Sequence, residues 1–87
     1  MDAIPIFVVH PSDYDEFLLA CPDARRVDYE TYRKEIEEFC ESHRKQGRDT
    51  VKMQCDIRDF VHWATSQGRP CDAGARADYA AFMYLKK

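Results

Sequence analysis

The sequence predicts a mostly α fold: a compact helical bundle of three core helices and one short helix, with a short N-terminal β-strand. Three observations carry this. One segment occurs twice, 21 residues apart. Glu35-Ile36-Glu37-Glu38-Phe39 runs on to Gln46-Gly47-Arg48, and Asp56-Ile57-Arg58-Asp59-Phe60 runs on to Gln67-Gly68-Arg69. Ile and Phe three apart share a helix face, and glycine after the last turn supplies a left-handed stop. The second observation is a stripe at helical spacing, made of Tyr29, Tyr32, Ile36, Phe39, Cys40 and His43. The third is a short apolar run from Ile4 to His10, rich in β-branched residues and punctuated by Pro5 and Pro11.

Each element follows in order. The run 4–10 reads as a strand, and Pro5 removes a donor, so it lies at an edge or at the strand's start. Ser12-Asp13-Tyr14-Asp15 has the form of a capping box and opens a short helix over 13–20, which Cys21-Pro22-Asp23 stops. Asp28 caps a helix over 28–46. Asp49 or Thr50 caps a helix over 50–67, whose main stripe is Met53, Ile57, Phe60, Val61 and Ala64, with Val51, Cys55 and Trp63 on other faces. Asp72 caps a helix over 73–85, with a smooth stripe of Ala73, Ala77, Ala80 and Ala81 beside Tyr79, Phe82 and Met83.

Two copies of a repeat are too few for a solenoid, so residues 1–87 read as a single domain. The helices 28–46, 50–67 and 73–85 are expected to form its core, with Ile36, Phe39, Ile57, Phe60, Trp63 and Phe82 buried. A lone strand leaves its backbone groups unsatisfied. The one candidate partner within the chain is Arg25-Arg26-Val27. Pairing there, or packing onto the helices, is favoured over an edge shared with another chain.

Composition narrows the function. Formal net charge is −3, far from the strongly basic balance of a dedicated nucleic-acid binder. Residues 1–24 hold Asp2, Asp13, Asp15, Glu16 and Asp23 and no Lys or Arg, whereas Arg44, Lys45, Arg48 and Lys52 gather at one interhelical junction. No secretory or membrane-spanning segment is expected, which points to the cytoplasm. The four cysteines are scattered without a C-x-x-C pair and read as reduced thiols. Cys40 and His43 have C-x-x-H spacing, with Cys55 and His62 further on, but these intervals depart from zinc knuckles, so no metal or other cofactor is expected. The glycines are isolated, and the carboxylate pairs Glu37-Glu38 and Asp13/Asp15 fall on solvent faces. An enzyme is therefore not expected.

The reading that remains is stoichiometric binding to a protein partner, as a regulator, adaptor or inhibitor, with an origin in a bacterial mobile element or phage. The expected contacts are Phe7, Val8 and Val9 on the strand edge and the acidic Asp13, Asp15 and Glu16, which can steer a basic partner. A homodimer through Phe7-Val8-Val9, or through Ala73, Ala77 and Ala80, belongs to the same reading. The alternative is a DNA-contacting helical module that uses Arg44, Lys45, Arg48 and Lys52 beside a helix N-terminus. The stretch from Thr50 to Gly68, with Asp56-Ile57-Arg58-Asp59-Phe60 and Trp63, resembles the first helix of the core-binding domain of tyrosine recombinases. The likeness covers one helix, and the chain has no room for that family's Arg, His and Tyr set. It implies DNA contact without strand cleavage.

Overall fold

The computed structural model describes residues 3–86. In chain order they form β1 (Ile4–Val9), a turn of 3-10 helix (Pro11–Asp13), α1 (Tyr14–Ala20), α2 (Tyr29–Lys45), β2 (Thr50–Cys55), α3 (Ile57–Ser66) and α4 (Ala73–Leu85). The mostly helical class and the N-terminal strand are as expected. So are Asp28 and Asp72 as helix caps: their side chains accept from the Thr31 and Ala75 N–H groups, each at 2.9 Å.

The repeated Gln-Gly-Arg has one local geometry in both copies. Gly47 and Gly68 adopt φ of 78° and 66°. After α2, the Gly47 N–H donates to Arg44 C=O and the Arg48 N–H to His43 C=O. After α3, the Gly68 N–H donates to Thr65 C=O and the Arg69 N–H to Ala64 C=O. These are two Schellman caps, and each needs glycine at the left-handed position.

The helix expected over 50–67 is a correction. Its first six residues are β2, and helix begins only at Ile57. Val51, Met53 and Cys55 alternate with Thr50, Lys52 and Gln54, a period of two that suits a strand covered on one face. Asp56 then caps α3, accepting from the Arg58 and Asp59 N–H groups at 2.9 and 3.1 Å. The strand's partner is likewise not Arg25–Val27. β1 pairs with β2 in parallel, with Ile4 opposite Thr50 and Val9 opposite Cys55. The capping box also differs. His10 Nδ1 accepts from the Ser12 N–H at 3.1 Å, and Asp13 turns away to accept from the Ile57 N–H at 3.4 Å, tying the start of α1 to the start of α3.

The sheet, rather than a bundle of three helices, organises the core. Phe7, Val9, Met53 and Cys55 share one face of the ribbon and pack with Tyr14 and Phe17 of α1, Ile57, Phe60 and Ala64 of α3, and Ala75, Tyr79 and Ala80 of α4. Phe60 is fully buried, with its ring 5.0 Å from Phe7 and 5.5 Å from Tyr79. The reverse face is α2's side: Lys52 there pairs with Glu37, and Ile6 and Cys40 are buried outside the main cluster.

Two strands, with axes about 4.8 Å apart, form a ribbon no wider than the one helix of about 10–12 Å that lies against it. The ribbon therefore cannot cover the whole apolar stripe of α2. Phe39, expected in the core, is 51% exposed, and Ile36 is half-buried. Phe82 is 42% exposed and Trp63 half-buried. These two lie 6.1 Å apart where α3 and α4 meet, with the Arg69 guanidinium over Trp63 and the Lys86 ammonium over Phe82.

Candidate functional site

The uncovered half of the α2 stripe lines a cleft of about 270 Å³. Phe7 from β1 and Phe17 from α1 form its floor, Ile36 and Phe39 one wall, and Ala24 and Val27 the other. Its rim is charged. Arg25 pairs with Glu35 across the mouth. Arg76 reaches in from α4, bound to Asp23 at 2.8 Å and lying 5.5 Å from the centre of the Phe17 ring. The hydrogen bond from Arg76 holds the Asp23 carboxyl below its ordinary pKa.

The two edges of the ribbon differ. The Ile4 N–H donates to Asp49 C=O at 2.9 Å, so Ile4, Ile6 and Val8 turn their backbone groups toward β2, and Pro5, Phe7 and Val9 turn theirs outward. That outer edge of β1 is closed at both ends. Pro5 has no N–H. The Val9 N–H donates to Tyr32 Oη at 3.3 Å, and Tyr29 Oη donates to Val9 C=O at 3.2 Å. Burial pushes the Tyr32 hydroxyl up to about 12, which keeps it neutral in this position.

On β2 the same ladder turns Thr50, Lys52 and Gln54 outward. Among the described residues, no hydrogen bond reaches their backbone N–H or C=O groups. The open edge thus belongs to β2, not to the β1 residues Phe7, Val8 and Val9. The sequence signal for it was the alternation of Thr50 to Cys55.

The charged residues singled out in the sequence are mostly engaged within the fold. Asp13 caps α3, and Glu16 pairs with Arg58 at 3.3 Å. Asp15 is exposed beside Leu18, the 85%-exposed Leu19 and Arg26. At the basic corner, Arg44 pairs with Glu41 at 2.5 Å and Lys52 with Glu37, while Arg48 bonds His43 and Gln46 and Lys45 lies near Glu38 and Glu41. Two of the four cations of the DNA reading, Arg44 and Lys52, are thereby answered by carboxylates of α2. The helix that carried the recombinase likeness is also interrupted by β2. Of the smooth face of α4, Ala73 and Ala77 are exposed and Ala80 is buried.

Cys55 is in the core, its Sγ donating to Met53 C=O at 3.2 Å, and burial pushes its thiol up to about 11. Cys40 is buried outside that cluster, and among the described residues no group of three or more His, Cys, Asp or Glu side chains could hold a metal ion. No helix there is long and apolar enough to cross a membrane. The chain matches no protein-family model, no curated protein and no solved structure.

Proposed function

We propose that this protein acts by stoichiometric binding to a protein partner, as a regulator, adaptor or inhibitor, and that the cleft under Ile36 and Phe39 receives a large apolar side chain of that partner. The observation that supports this reading is the exposure of Phe39 at the lip of an aromatic-floored cleft. Its volume of about 270 Å³ lies at the lower limit of the ~300–1,000 Å³ of small-molecule sites and suffices for one large side chain. An apolar pocket rimmed by arginine suits an anchor residue at a protein interface, where aromatic and arginine side chains dominate the energy. The partner site moves with the structure. Phe7 keeps a place as cleft floor, while Asp13 and Glu16 serve the fold and the β1 edge is largely closed.

Selection of displayed random peptides against the full chain tests this. The expected outcome is convergence on segments with one large apolar anchor. Phe39→Glu should weaken them by ~2 kcal/mol or more, about 30-fold, with helix content unchanged. Peptides that bind Phe39→Glu as well as the parent would refute the cleft. Tight, salt-steep binding of duplex DNA, lost in Arg44, Lys45 and Arg48 variants, would put the DNA reading in its place.

A further inference from the structure

The open edge of β2 is distinct from the cleft, which no β2 residue lines. Thr50, Lys52 and Gln54 present three outward N–H and C=O pairs in a row, unbonded among the described residues. Water can satisfy such a row group by group, and another extended backbone satisfies it as a unit. We infer that a second copy of this chain pairs with it: β2 meets β2 of the partner antiparallel, about a two-fold axis at Met53.

The register follows from the outward residues and the charges. A two-fold at Lys52 places Lys52 opposite its own copy, and like charges directly opposite are destabilising. A two-fold at Met53 makes the outward groups of Lys52 and Gln54 face those of Gln54 and Lys52 of the other copy, and sets Thr50 opposite Asp56, whose C=O already accepts from the Phe60 N–H. On the core face of the ribbon, Met53 then meets Met53, and Val51 meets Cys55. The strand is thus self-complementary in this register, with apolar residues on one face and uncharged or compatible pairs on the other.

The second edge decides what kind of assembly results. The β1 edge is closed at both ends, by Pro5 and by the Tyr29 and Tyr32 bonds to Val9, which leaves only Phe7 open between them. Pairing through β2 therefore stops at two chains and yields a four-stranded sheet, β1-β2-β2-β1, rather than a growing fibre. Two strands alone make a marginal sheet, and four bring it to an ordinary size.

Sedimentation equilibrium of the full chain, with two exposed substitutions, tests both the dimer and the register. The parent should pass from one chain to two as concentration rises. Gln54→Glu places a carboxylate opposite Lys52 twice about the axis and should tighten the dimer roughly 2- to 30-fold, while Gln54→Lys should weaken it by a similar factor. Amide exchange at Lys52 and Gln54 should slow with concentration, and that at Phe7 should not. A single chain at all concentrations overturns the inference and leaves the edge to a foreign strand. A dimer with one constant for all three proteins, or with protection at Phe7 instead, overturns the β2 register.

Discussion

Replacing Asp56 by alanine separates the strand-then-helix geometry from an uninterrupted helix over 50–67, because the two give opposite signs. In the structure Asp56 is the N-cap of α3, and its carboxylate accepts from the Arg58 and Asp59 N–H groups at 2.9 and 3.1 Å. Removing it leaves both donors without their acceptor and costs ~0.5–2 kcal/mol. If helix ran from Thr50, Asp56 would sit in its interior. Alanine, better there by up to ~0.7 kcal/mol, would then stabilise the fold. An 87-residue domain has ~4–13 kcal/mol in total, so a loss of ~1 kcal/mol is readily measured. With a urea slope of ~1–3 kcal/mol/M, the midpoint should fall by roughly 0.3–1 M with the slope unchanged. Asp28→Ala, which removes the cap of α2 in a place where both readings agree, calibrates the effect. A midpoint that rises in Asp56→Ala while it falls in Asp28→Ala would refute the assignment of Thr50–Cys55 as a strand.

Two further outcomes follow from burial. Phe60→Ala should cost ~3–5 kcal/mol, while Phe39→Ala, at the lip of the cleft, should stay under ~1 kcal/mol; equal losses in urea titrations would mean that the core is wrongly placed. Burial raises the Cys55 thiol from the ~8.5 of a free thiol to about 11, so its neutral form stabilises the fold fully below that lower value, and this contribution is lost as pH rises through about 11. Accordingly, half-buried Cys71 should be alkylated first in native protein near pH 8, and stability should decline with pH above about 8.5 less steeply in Cys55→Ala. Equal labelling of all four thiols, or parallel alkaline profiles, would contradict this.

Local signals in the sequence were read well wherever a few neighbouring residues decide the geometry. The Gln-Gly-Arg repeats specify two identical Schellman caps, and Asp28 and Asp72 specify helix starts. The start of α3 was not legible in the same way. Met53 stands four residues before Ile57, so the helical stripe of Ile57, Phe60, Val61 and Ala64 runs back into β2, where Asp49 or Thr50 reads as its cap. The competing period of two in Thr50–Cys55 was present, but a parallel pair forms between segments more than 40 residues apart, and no local residue announces it. Phe39 shows a second limit. Helical spacing tells which residues share a face; it does not tell how wide the neighbour covering that face will be.

The narrow ribbon explains both candidate surfaces at once. A two-stranded sheet leaves one strand edge unpaired on the β2 side and leaves the overhanging stripe of α2 uncovered on the β1 side, where Phe7 and Tyr32 line the cleft. No β2 residue lines the cleft, so pairing through β2 is expected to leave Ile36 and Phe39 uncovered. A dimer paired in this way would carry two open clefts, one beyond each outer β1 strand. A partner presenting two anchors at matching separation would gain avidity from this arrangement without any new contact. It also keeps the two surfaces thermodynamically separate. Phe39→Glu should abolish peptide capture and leave the sedimentation constant alone, and Gln54→Lys should do the reverse. If either substitution changed both measurements, the clefts and the β2 edge would not be distinct.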